Sequence, residues 1–169
     1  MQATSKEFVE VSQLDNKFRN EIAKEPGGER IAYCFACGTC AASCPVRAVE
    51  EKYNPRKIIR MALLGMKKEV LSSDFIWLCS SCYSCQERCP QGVKITEIMT
   101  VLKNLAIKNG YIHPGLVQQI DPIKNMGRIY EIDEFDNRKR EKAGLPELPS
   151  KIEVVEKIFK VTGLKVPTG

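Results

Sequence analysis

The stretches "CFACGTCAASCP" (Cys34–Pro45) and "CSSCYSCQERCP" (Cys79–Pro90) decide how this chain is read. Both follow the pattern C-x2-C-x2-C-x3-C-P. Cys34, Cys37, Cys40, Cys44 and Pro45 correspond in order to Cys79, Cys82, Cys85, Cys89 and Pro90. The letters between them differ, and Gly38 stands where the second copy has Tyr83. Spacing is what the two copies share, so thiol geometry is what the repeat preserves.

Three thiols at i, i+3 and i+6 can wrap one cuboidal cluster, because a loose turn brings each sulfur round to the same side. The fourth lies past that wrap, and in two-cluster ferredoxins it ligates the other cluster. Applied here, Cys34, Cys37, Cys40 and Cys89 would hold one 4Fe–4S cluster, and Cys79, Cys82, Cys85 and Cys44 a second. If "CAASC" is one helical turn, Cys40 and Cys44 lie roughly 5–6 Å apart while serving different clusters, which makes the clusters close neighbours. Proline after the fourth thiol resists continuing a helix and turns the chain away. Zinc is the alternative, but it is usually held by two C-x2-C knuckles, and a third thiol at i+6 and a Cys-Pro have no part in that scheme.

The chain has 169 residues, 43% of them apolar and 7% aromatic, enough for one modest core with appendages. Its formal net charge of +5 leaves eight cysteines uncounted, and as metal-bound thiolates they would cancel it. Charge therefore does not by itself point to nucleic acid or to a membrane surface. The N-terminal "MQATSKEFVEVSQLDNKF" has no secretory apolar region. The most apolar segment, "KIIRMALLGMKK", is interrupted by Arg60 and far short of the roughly 20 residues a bilayer span needs. The expectation is a soluble, cytoplasmic protein, and in a reducing compartment the cysteines are not read as disulfides.

Around the thiols the pattern is helical, with no convincing strand, so the expected fold is all-α. Asn54 caps and Pro55 opens a helix with Ile58, Ile59, Ala62 and Leu63 on one face, stopped by Gly65. A short helix Lys67–Leu71 follows, then a Ser72–Ser73–Asp74 cap cluster. Upstream, Ser12 and Asp15 suggest a helix start, with Leu14, Phe18 and Ile22 as its apolar stripe and Pro26–Gly28 as its end. Downstream, Ile95, Ile98, Leu102 and Leu105 mark another helix, ending near Gly110. These divide the chain into an N-terminal helical arm (1–29), a double-cluster domain (30–110) and an extension (111–169), the last a helical and irregular segment expected to dock partners. Within it Asp133–Lys142 reads as a solvated charged run, and Ser150 with Glu153 as a capping box for a last helix presenting Ile152, Val155, Ile158 and Phe159.

Other residues carry less. His113, the only histidine, sits in "HPG", which reads as a turn, and Trp77 reads as packing beside the thiols. Arg56, Lys57, Arg60, Lys67 and Lys68 read most simply as the solvated side of their helices, with an acidic docking partner as the other possibility. There is no G-x-G-x-x-G and no nucleophile–base pair, so no active site of the chain's own is signalled.

The helical insertion between the two runs resembles the α-helical ferredoxin domain of succinate dehydrogenase and fumarate reductase iron–sulfur proteins. Within that class "NPRKIIRMALLG", "IWLCSSCYSCQERCP" and "ITEIMTVLKNLA" resemble the family of C-type subunits of the methanogen heterodisulfide reductases, a likeness covering about residues 30–105. The resemblance implies a non-catalytic electron-transfer component of an oxidoreductase. It would relay electrons through two 4Fe–4S clusters from the flavin-containing A-type subunit to the catalytic B-type subunit, where the CoM-S-S-CoB heterodisulfide of methanogenesis is reduced. It further implies a soluble assembly with a hydrogenase or formate dehydrogenase that performs flavin-based electron bifurcation. In that family the B-type subunit has adjacent cysteines, and this chain has no Cys-Cys pair. Related iron–sulfur proteins serve glycerol-3-phosphate, lactate and sulfur oxidation, so the substrate rests on the resemblance alone. From a different class, a zinc-stabilised module with a basic nucleic-acid-binding face is the alternative, and visible absorption separates the two.

Overall fold

The computed structural model describes residues 9–163; residues 1–8 of the expected arm and 164–169 of the expected extension lie outside the described residues. All regular structure among the described residues is helical, and no helix there is long and apolar enough to cross a membrane. The chain divides between Tyr111 and Ile112 into two compact units.

In the first unit, helix α1 (Phe18–Lys24) puts Phe18 and Ile22 fully out of water. It starts later than its sequence suggests. Ser12 lies in a separate 3-10 turn and spends its hydroxyl on Glu10, whereas Asp15 accepts from the Lys17 N–H at 2.9 Å just ahead of the helix. Two short helices, α2 (Thr39–Ala42) and α3 (Pro45–Val49), follow the first cysteine run. Pro45 does not stop α2, which has already ended at Ala42; it opens α3 from the first helical position, where its missing N–H has no bond to lose. Cys44 is therefore extended rather than one helical turn beyond Cys40.

Helix α4 (Pro55–Leu63) forms as its sequence dictates. The Asn54 side chain accepts from the Lys57 N–H at 3.1 Å, Ile58, Ile59 and Ala62 are buried, and Gly65 leaves the helix at φ +83°. Helix α5 (Lys67–Leu71) buries Val70 and Leu71. The serines after it cap nothing: the Ser73 hydroxyl donates back to the Val70 carbonyl at 2.6 Å, ahead of a 3-10 stretch Asp74–Leu78. Lys67 is not solvated like its basic neighbours, since it pairs with Glu21 at 2.6 Å and so ties α5 to α1.

After helix α6 (Ser84–Glu87), helix α7 (Ile95–Lys108) is the spine of the unit. Ile95, Ile98, Met99, Val101, Leu102 and Leu105 are buried along it. Removing each such side chain from water contributes roughly 1.5–3 kcal/mol, so this one helix supplies the largest block of core. It packs on α1, α5, α6 and the 3-10 stretch, and Trp77 lies half-buried against the same cluster.

The second unit holds three helices among the described residues. In α8 (Pro114–Met126) the residues "HPG" are not a free turn but a helix start: Pro114 takes the first position and the His113 ring nitrogen Nδ1 accepts from the Gly115 N–H at 3.1 Å. Helix α9 (Glu134–Lys142) is as exposed as its charged sequence implies, yet it is regular, with Asp133 accepting from the Asp136 N–H at 2.9 Å. The Asn137 amide clasps Leu148, accepting from its N–H and donating to its carbonyl, both at 3.0 Å. Helix α10 (Glu153–Thr162) packs on α8. Its expected capping box is absent, because the helix begins after Ile152, which has no side chain to cap with; the Ile152 N–H instead donates to the Met126 carbonyl.

Candidate metal centre

Both cysteine runs fold the same way although their letters differ. Ala36 and Ser81, between the first two thiols of each run, take positive φ (60° and 54°). So do Gly38 and Tyr83, which follow the second thiol (93° and 63°) and serve as the N-cap positions of α2 and α6. A left-handed backbone at a non-glycine residue costs roughly 1–2 kcal/mol. That the second copy places tyrosine there shows that the shape of the loop, not local preference, is what the fold preserves. The reversal at each of these positions curls C-x2-C-x2-C around a centre.

The result is two hollows. Cys34, Cys37, Cys40 and Cys89 line the first. Cys79, Cys82, Cys85 and Cys44 line the second. Each takes three thiols from one run and the fourth from the other. All eight cysteines are free thiols, and among the described residues neither hollow has a carboxylate or imidazole in its lining. An all-thiolate donor set suits soft metal centres, iron–sulfur clusters foremost. Among the described residues no three His, Cys, Asp or Glu side chains close on a site for a single metal ion. Helices α2 and α6, which carry Cys40 and Cys85, pack on each other, so the hollows are neighbours even though Cys40 and Cys44 do not share a helical turn.

The surroundings divide the thiols by reactivity. At Cys37 the Thr39 hydroxyl, 3.4 Å away, together with the Thr39 backbone holds the thiol below its usual range. At Cys82 the backbone and hydroxyl of Ser84 do the same. Burial pushes Cys40 up to about 11, helped by repulsion from Cys34, Cys85 and Cys37, and burial also raises Cys85.

Some residues at this site gave no signal in the sequence. Tyr53, 2% exposed, lines the second hollow and hydrogen-bonds Cys79; its burial and that bond keep the phenol protonated. The Thr96 hydroxyl, also buried, lies 3.5 Å from the Cys85 sulfur. At the first hollow the Val93 N–H donates to the Cys89 sulfur at 3.3 Å, and Arg56 lines the wall. A lone tyrosine in "EEKYNP" looks like any core aromatic, and nothing in the sequence indicates which backbone amide faces a sulfur.

Residues 30–93 match the model of the 4Fe-4S dicluster domain. The chain is 37% identical over 163 residues to the C subunit of the H(2):CoB-CoM heterodisulfide,ferredoxin reductase of Methanothermobacter thermautotrophicus, covering 92% of this chain and 87% of that protein. It is 37% identical over 126 residues to the C subunit of the Ferredoxin:CoB-CoM heterodisulfide reductase of Methanosarcina mazei, covering 75% and 77%. Over 110 residues it is 44% identical to the C2 subunit of the H(2)/formate:CoB-CoM heterodisulfide,ferredoxin reductase of Methanococcus maripaludis, covering 61% and 59%.

Proposed function

The chain belongs to the family of heterodisulfide reductase C subunits, and from that membership we propose that it relays electrons from a flavin-containing A-type subunit to a catalytic B-type subunit, where the CoM-S-S-CoB heterodisulfide is reduced. Its role as an iron–sulfur electron-transfer component of an oxidoreductase complex follows from the family and from the dicluster domain. It carries two 4Fe–4S clusters and has no active site of its own. Cys34, Cys37, Cys40 and Cys89 hold one cluster, and Cys79, Cys82, Cys85 and Cys44 hold the other.

One observation carries this reading: two adjacent hollows, each walled by four thiols drawn from both runs. When bound, each cluster takes up and releases one electron. The chain itself supplies the thiolates, the hydroxyl and amide donors that offset charge on the sulfurs, and a core that holds the two sites at a fixed separation. In a complex joined to a hydrogenase or formate dehydrogenase, such a relay would serve flavin-based electron bifurcation.

The test is anaerobic purification followed by iron and acid-labile sulfide analysis, with EPR before and after dithionite. The expected result is about eight of each per chain and a coupled signal from two reduced neighbours. Near-zero iron with about two zinc would overturn the reading. Reconstitution with the flavin-containing and the catalytic subunits then tests the direction of electron flow.

A further inference from the structure

Helix α4 has one face that the core uses and one that it does not. With Pro55, Ile58, Ile59 and Ala62 turned inward, Arg56, Lys57 and Arg60 are left exposed on the other side. Among the described residues no carboxylate lies within ion-pair distance of any of the three. Lys67 on the next helix, by contrast, is neutralised by Glu21. The three cations line a shallow depression together with Phe35 and Met61, and among the described residues no acidic one lines it. Phe35 is 61% exposed, an unusual state for a phenylalanine with a packed core available. Beside it Tyr33 is 56% exposed, with the Arg30 guanidinium 5.0 Å from its ring centre.

This depression adjoins the first hollow. Phe35, Ala36 and Arg56 line both, and Cys37, the exposed thiol of the first hollow, follows Ala36 directly. An aromatic side chain ringed by unpaired cations has the make-up of a protein–protein contact: the ring anchors, and the charges steer encounter and set register. Placed at the lip of a redox site, the contact brings a second electron carrier close to the cluster.

We propose that this face is the docking site of an acidic redox partner, a protein that presents carboxylates around its own electron-carrying group and seats them on Arg56, Lys57 and Arg60 over the first hollow. The proposal rests on the reading of that hollow as a cluster site, and it adds which cluster meets a partner and by what chemistry. A membrane or a nucleic acid would also meet the cations, but neither makes use of a redox site at the lip.

The test uses the full, cluster-loaded chain and the flavin-containing and catalytic subunits of the reductase, each measured separately by surface plasmon resonance under anaerobic conditions. The variant is Lys57→Glu with Arg60→Glu, residues that point away from the core and from both hollows. The control, Arg19→Glu with Lys24→Glu on α1, makes the same change in net charge at other exposed positions. Association of the Lys57/Arg60 variant with one of the two should slow by about tenfold at low salt, with iron content and EPR signals unchanged. The gap should close near about 1 M salt, where the screening length falls to roughly 3 Å. The control should bind that same partner within about twofold of the parent chain. Undiminished binding of the Lys57/Arg60 variant to both partners overturns the docking site, and so does an equal loss in the control. If the parent chain binds neither, the relay reading falls, and this one with it.

Discussion

Tyr53 and Cys79 meet across the wall of the second hollow, the buried phenol donating to the sulfur. A reduced cluster carries one more negative charge than an oxidised one, so a donor on its sulfur favours the reduced state and raises the potential. Tyr53→Phe removes the hydroxyl and keeps the ring. We expect one of two cluster potentials to fall by about 40 mV, the equivalent of about 1 kcal/mol for one electron, with the other unmoved. An EPR-monitored redox titration reads both. Thr96→Val should lower the same potential, because Thr96 faces Cys85 of the same hollow; movement of different potentials would break the assignment.

Cys44→Ala should damage the cluster whose other ligands are Cys79, Cys82 and Cys85, although Cys44 belongs to the first run. Iron should drop to roughly half, and the remaining EPR signal should lose the splitting that comes from a reduced neighbour. A variant that lost instead the cluster of Cys34, Cys37 and Cys40 would sink the crossed arrangement.

In the cluster-free chain, alkylation should rank the thiols. The thiolate is the nucleophile, so near pH 8 Cys37 and Cys82, held low by their Thr39 and Ser84 neighbours, should label before Cys40 and Cys85. Raising the pH increases every thiolate fraction, and Cys40, at about 11, should be the slowest to catch up. Peptide mass spectrometry after a short pulse gives the order. Uniform labelling would mean that the loops do not hold their shape without clusters.

Two glycines with nearly the same backbone should differ in what they tolerate. At Gly65 (φ +83°) an added Cβ would stand 2.5 Å from the Asp15 carbonyl oxygen, a backbone atom that cannot swing aside. At Gly110 (φ +82°) it would meet nothing within 4 Å. Gly110→Ala should cost about 1 kcal/mol, the left-handed strain alone. Gly65→Ala should cost about 2–4 kcal/mol, because the contact between the α4–α5 turn and the segment before α1 must open. Urea midpoints of the loaded protein decide; equal shifts would refute the steric account.

The segment after Tyr111 forms its own compact unit with Val154, Ile158 and Val161 exposed on α10. A chain ending at Tyr111 should keep its iron but bind the rest of the reductase more weakly. Undiminished affinity would show that the extension takes no part in assembly.

Sequence legibility followed local physics. Helix α4 could be read to the residue because Asn54, Pro55 and Gly65 each act through the neighbouring backbone, and α7 could be read because its apolar spacing is regular over several turns. The charged run at α9 concealed a helix, since exposure says nothing about regularity, and "HPG" concealed another, since proline serves a turn and a first helical position equally well. Ser12 and Ser150 carried the right chemistry for caps, but the helices start elsewhere, with the Ser12 hydroxyl spent on Glu10 and α10 beginning after Ile152. At the site, thiol spacing announced the metal chemistry, whereas Tyr83 at positive φ and Tyr53 against Cys79 are products of the whole fold.

The sharing of walls between the two hollows has a mechanical outcome. Each run gives three thiols to its own hollow and lends the fourth to its neighbour, like two links of a chain passed through one another. The exposed turn at Glu51–Lys52 lies on the connection between them. A protease that nicked the loaded protein there would make two fragments without making two particles. The shared thiols would then be a second tether beside the core that α1 forms with α4 and α7, so loss of iron would loosen the nicked protein more than the intact one.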